Sequence, residues 1–139
     1  MIYLHSEDID FTYPDPEKLE TWLKGVAKDE NKTTGEISII FCSDDYLLDL
    51  NKKFLNHDYY TDVITFDYSE QDIISGDIFI SIDRVRENAQ IYGQKFIDEL
   101  NRVIVHGLLH LAGYKDKSEE EQKQMRQKED FYLKKLAQI

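Results

Sequence analysis

With 139 residues and a formal net charge of −11, the chain is long enough to bury a core without a disulfide or a structural metal, and too acidic for broad, non-specific binding to nucleic acid. Its apolar runs fall far short of the roughly 20 residues that a membrane span needs. The one cysteine, Cys42, excludes an internal disulfide and, with no signal-peptide pattern at the N-terminus, leads us to expect the cytoplasm.

Ile2 to His5 is a short apolar opening that predicts an edge strand. Asp15 followed by Pro16 is a helix start, because the carboxylate caps and proline at the first helical position loses no needed hydrogen bond. Leu19, Trp22, Leu23 and Val26 then recur at helical spacing to about residue 30. Glu36 to Cys42 is rich in β-branched residues and predicts a strand that buries Cys42 as a small hydrophobe. Ser43 with Asp44 and Asp45 caps a second helix carrying Tyr46, Leu47, Leu50 and Phe54 on one side.

Thr61 to Tyr68 and Asp77 to Ile82 predict two more strands, with Ser75 and Gly76 ending the turn between them. Asp83 is expected to cap a helix that Gly93 closes after Tyr92. From Gln94 to Gly113, Phe96, Ile97, Leu100, Val103, Ile104, Leu108 and Leu111 form a broad apolar stripe, and Gly113 is placed to end that helix. Ser118 to Glu121 is a capping box opening a polar helix to the C-terminus, with Met125, Phe131, Tyr132 and Leu136 as its apolar contacts. Strands and helices alternate irregularly without a linker. We therefore expect an α+β (mixed α/β) fold, a single small domain over 1–139 with a short mixed sheet of about four strands and about five helices.

Charge is uneven along this chain. Residues 1–50 carry 4 basic and 12 acidic side chains, whereas residues 101–139 carry 8 basic and 6 acidic. A polyanion would favour the C-terminal third, although solvation of an exposed helix accounts for the same charges.

The chemistry concentrates at His106 and His110. Four residues apart on a helix, they share a face with Cβ atoms about 5–6 Å apart, a spacing at which two imidazole nitrogens converge on one ion. Two hydrogen-bonded histidines near a core would show the same spacing. Past Gly113 the chain turns back, and Asp116 is positioned to return an oxygen ligand; flanked by Lys115 and Lys117, it also reads as a surface turn residue. Two imidazoles and one carboxylate leave a fourth position for water, the pattern of a catalytic rather than a closed structural site. Zinc suits that set, and nickel, iron or manganese are not excluded. Gly107 stands where an H-E-x-x-H peptidase carries its general-base glutamate, so that mechanism is disfavoured. Arg102, one turn before His106, is a candidate to meet a phosphate, or else to pair with Asp98 or Glu99 on its own helix; the sequence names no general base, and Glu99, a candidate for that role, reads more simply as solvated.

His106-Gly107-Leu108-Leu109-His110-Leu111-Ala112-Gly113-Tyr114 resembles the signature of the YbeY family, bacterial endoribonucleases that act in ribosomal RNA maturation. Asn51 through Phe66, with its Thr61-Asp62-Val63 core, and Gly76 through Ser81 resemble that family's neighbouring segments in the same order. The resemblance implies a zincin-like metal helix and a single-strand-specific, metal-dependent endoribonuclease using one zinc ion, with ribosomal RNA and the ribosome or its proteins as partners. A non-catalytic assembly factor with a structural metal is the alternative, and a hydrolase of another substrate class a third. Two positions depart from the family pattern. Asp116 stands where a third histidine is expected, and Leu55 where the family carries an arginine thought to act in catalysis. Leucine brings no charge to a phosphate, so Lys52 or Lys53 becomes the nearest substitute in sequence, and Lys53 joins Arg102 as a catalytic candidate. His57 lies near the same segment and reads more simply as a turn residue.

Overall fold

The computed structural model describes all 139 residues. Strand β1 (Ile2–Ser6) leads through helix α1 (Pro16–Asp29) to β2 (Thr33–Cys42), then α2 (Asp44–Phe54), β3 (Val63–Asp67), β4 (Ile73–Ser81), α3 (Ile82–Ile91), α4 (Phe96–Leu111) and α5 (Glu119–Ala137). The four strands form one sheet in the order β1-β2-β4-β3. The first three run parallel, and β3 pairs antiparallel with β4 along the edge. The expected α+β domain is what forms, and none of its helices is long and apolar enough to cross a membrane.

The two faces of the sheet are unequal because alternate residues point opposite ways. Ile37, Ile39 and Phe41 of β2 join Ile74, Ile78 and Ile80 of β4 in the main core, together with Leu19, Trp22 and Leu23 of α1 and Leu100, Ile104 and Leu108 of α4. Cys42, Leu47 and Ile64 form a small cluster on the other face, against Phe66 and Phe79. Burial pushes the Cys42 thiol up to about 12, so it is an inert part of that packing. Helix α4 is apolar on most of its circumference because it lies between the sheet, α3 and α5, and ten of its sixteen residues are buried.

Helix starts follow local chemistry. Asp15 accepts from the Lys18 amide, Ser43 from Tyr46, and Ser118 and Glu121 close the expected capping box. Four expectations need correction. Strand β4 begins at Ile73, so Ser75 and Gly76 lie inside it, and the turn falls instead at residues 68–72 with Gln71 at φ 54°. Long-range pairing with β2, where Ile37 faces Gly76, draws these residues into the sheet. The cap of α3 is Ser81, which accepts from Arg84, while the Asp83 carboxylate reaches across to the Asp44 amide at the start of α2. Phe131 is 48% exposed, and Phe54 only touches Phe66 edge-on from the surface.

Close approach of α4 to β4 depends on two glycines. A Cβ on Gly107 would come within 2.7 Å of Ile78, and one on Gly76 would meet the Phe66 carbonyl and come within 2.9 Å of Leu111. Across the core, Glu30 at the end of α1 gathers the hydroxyls of Tyr114 and Tyr132 and the Lys128 ammonium. Burial opposes ionisation of Glu30, but these donors outweigh it and hold its carboxyl below the ordinary range.

Gly76→Ala is expected to lower stability by about 1–3 kcal/mol, because the clash is with backbone that cannot yield cheaply; a denaturant unfolding midpoint equal to wild type would contradict this. For Glu30 the folded pKa lies below the unfolded one, so its contribution is fully present at neutral pH and is lost as pH falls through the folded value. Glu30→Gln should therefore lower stability at neutral pH and flatten its decline in acid, as measured by urea unfolding from neutral to acid pH.

Candidate metal centre

One face of α4 escapes burial and carries His106 and His110, whose rings meet edge to face with centroids 4.6 Å apart. Gly113, at φ 108°, ends the helix and turns the chain so that Asp116 returns to them. The three donor atoms form a near-equilateral triangle. Nε2 of His106 and Nε2 of His110 are 3.0 Å apart, and Asp116 Oδ2 lies 3.3 Å from the first and 3.2 Å from the second.

Those three atoms present lone pairs to one another. His110 Nδ1 lies 2.9 Å from the Tyr114 carbonyl, which only accepts, so the proton of the neutral ring is on Nδ1. His106 Nδ1 lies 2.6 Å from the Glu129 carboxylate, which fixes the same tautomer. Both Nε2 atoms are therefore bare in the neutral rings, and the Asp116 carboxylate adds a third acceptor. Such an arrangement is repulsive unless a positive charge, a metal ion or a proton on one of the rings, sits among them. Donors bound tetrahedrally at roughly 2.0–2.1 Å lie about 3.3 Å from each other, so the triangle fits one face of a zinc-sized coordination shell. His106, His110 and Asp116 form a group able to hold a metal ion, and the side chains retain enough exposure to leave its outer side open.

Glu129 was not foreseen. It is 6% exposed, on the inner face of α5, and accepts from both His106 and Arg102 Nη1, the latter at 2.8 Å. A signal was available: Met125, Glu129, Tyr132 and Leu136 follow helical spacing, so a carboxylate occupies one position of a buried stripe. Burial works against charging His106, but Glu129, then Asp116 and Asp62, outweigh it and raise its proton affinity. Asp62 and Glu99 are both pushed up by burial, and Glu99 is buried at 7% rather than solvated as expected. The wall of α4 simply faces α5 there.

Asp62, Glu99, Asp116 and Glu129 line a cleft of about 550 Å³ together with His106, Arg102 and Arg126. Arg102 thus reaches the site, but its guanidinium is held by Glu129 and Asp130, the latter at 2.7 Å, and not by Asp98 or Glu99. Lys53 lies outside the cleft lining and pairs with Asp49; Lys52 pairs with Asp58. Leu55 ends α2 with its side chain partly exposed, and His57 stacks on Tyr59 in the following loop. The structure therefore brings together the three expected ligands and Arg102, and leaves Lys53 apart.

A family model described as endoribonuclease YbeY matches residues 3–137. A relative from Cytophaga hutchinsonii, named endoribonuclease YbeY, is 53% identical over 133 residues, covering 95% of this chain and 93% of its own. One of the same name from Flavobacterium psychrophilum is 53% identical over 127 residues, with 91% of each chain covered. Among solved structures, a Thermotoga maritima protein determined in solution superposes with a TM-score of 0.69 at 31% identity, covering 98% of this chain and 89% of its own.

Proposed function

Because the chain belongs to the YbeY family of endoribonucleases, we propose that it cuts single-stranded RNA in ribosomal RNA maturation at the His106–His110–Asp116 centre, with one divalent metal ion bound. The observation that carries the metal is the triangle of three lone pairs held 3.0–3.3 Å apart. Zinc is the ion best suited to two imidazoles and a carboxylate, with nickel next. When bound, such an ion polarises a phosphoryl oxygen and lowers the pKa of a water at its open position.

The remaining work falls to the protein. His106 and His110 hold their tautomers through Glu129 and the Tyr114 carbonyl. Asp116 offers a harder donor than a third imidazole and brings one negative charge to the set. The cleft, about 550 Å³ and walled by α4 and α5, has the dimensions of a nucleotide-sized site and opens beside His106. Arg102 enters this reading as a charge of the cleft wall, committed to Glu129 and Asp130. Ribosomal RNA as substrate places the protein with the ribosome in the cytoplasm, and the unpaired, buried Cys42 accords with a reducing compartment.

Mass spectrometry of the untagged native protein is expected to find about one equivalent of metal, lost from both His110→Ala and Asp116→Ala. Cleavage of a single-stranded oligoribonucleotide should stop with chelator and return with zinc. Metal retained at full occupancy by Asp116→Ala would remove that carboxylate from the ligand set. Glu129→Gln, by weakening the acceptor behind His106, should reduce zinc affinity about ten- to hundredfold in a chelator competition while the metal-free protein stays folded.

A further inference from the structure

The cleft beside His106 is dominated by negative charge. Asp62, Glu99, Asp116 and Glu129 line it, against two arginines, Arg102 and Arg126. A phosphodiester drawn towards the metal triangle meets four carboxylates, and one metal ion does not offset them all. A free cation in the lining is therefore required, and the two arginines differ in this respect.

Arg102 is already committed. Nη1 is bonded to Glu129 at 2.8 Å and Nη2 to Asp130 at 2.7 Å, and its side chain is only 24% exposed. Arg126 is exposed and forms no ion pair, whereas Lys128, Glu129, Asp130 and Lys135 of the same helix are all engaged in one. It projects from the same face of α5 as Gln122, Met125 and Glu129, all of which line the cleft. Its charge reaches the cleft as that of Arg102 does, both partly offsetting the rise that burial and Asp62 impose on the Glu99 carboxyl. Lys52 and Lys53, on α2, are paired and outside the lining.

We propose that Arg126 is the residue that binds the phosphodiester of the RNA in this cleft, whereas Arg102 is a positioning residue that acts on the metal centre through Glu129 and His106. The inference rests on the RNA-cutting reading above. An unpaired guanidinium keeps all five donors of its planar fork for the phosphate oxygens, whereas both terminal nitrogens of Arg102 are already engaged by carboxylates.

The test compares wild type, Arg126→Ala, Arg126→Lys and Arg102→Ala as zinc-loaded proteins. Binding of a fluorescent 2′-O-methyl oligoribonucleotide is followed from about 50 to 200 mM salt, alongside cleavage of the unmodified oligonucleotide and metal content. Arg126→Ala should flatten the plot of log K against log salt by roughly 0.7, one phosphate contact on a single strand, and lower kcat/KM at least about tenfold with metal content unchanged. Arg126→Lys should restore the slope and only part of the rate. Arg102→Ala should keep the wild-type slope and bind zinc more weakly. Wild-type slope and rate in Arg126→Ala would overturn the assignment. So would a flattened slope in Arg102→Ala with zinc affinity intact, which would make Arg102 the phosphate ligand. Wild-type protein that takes up zinc but neither binds nor cuts the oligonucleotide would defeat the RNA-cutting reading itself, and this is seen before any variant is compared.

Discussion

The bond between His106 Nδ1 and the buried Glu129 carboxylate is the interaction on which the site depends. It spans 23 residues of sequence and joins α4 to α5. By accepting from Nδ1–H, the carboxylate keeps the proton on that nitrogen, leaves Nε2 free to face His110 and Asp116, and strengthens the imidazole as a ligand. Glu129 is in turn tied by Arg102, one turn up the same helix as His106. A charged group this deep is stable only because both its partners are charged or strongly polar. The second histidine has the same logic with a different acceptor, the Tyr114 carbonyl. Tyr114 itself is anchored by its hydroxyl to Glu30. Each imidazole is thus oriented from behind, and the two supports come from different parts of the core.

Geometry of this kind needs a rigid platform, and the glycines of the sheet-facing layer provide it. With Gly107 over Ile78 and Gly76 under Leu111, α4 sits closer to β4 than residues bearing a Cβ would allow. The same helix then presents His106 on a face that looks into the cleft beside the start of β3, with His110 one turn along. The departure from a peptidase motif and the tight packing are two consequences of one residue, Gly107.

The acidic character of the chain takes on a different meaning at the site. A formal charge of −11 argues against indiscriminate binding to RNA, yet carboxylates crowd the cleft where a phosphate would arrive. Asp62 and Glu99 have their carboxyl groups pushed up by burial, so they resist ionisation more than surface acids do. In the proposed function, negative charge here draws a cation and the cation draws the phosphate. Leu55, at the end of α2, contributes no charge to this balance.

Much of this was legible beforehand. The capped starts of α1, α2 and α5, the glycine ends of α3 and α4 and the convergence of His106, His110 and Asp116 all follow from local rules, because a cap or an i, i+4 pair is settled by atoms within one or two turns. The resemblance of residues 50–116 pointed to the family that the comparisons establish. What escaped local reading was decided by partners distant in sequence. Strand β4 starts early because β2 pairs with it, and Asp83 serves the start of α2 rather than its own helix. Glu99 is buried by a helix that begins twenty residues later, and Arg102 finds Glu129 and Asp130 instead of its helical neighbours. By itself, then, the sequence determined which donors meet at the centre, since their spacing is short-range. Only the tertiary structure decided which groups orient them and which arginine is left free, because a buried carboxylate takes its partner from whatever element the core packing brings alongside.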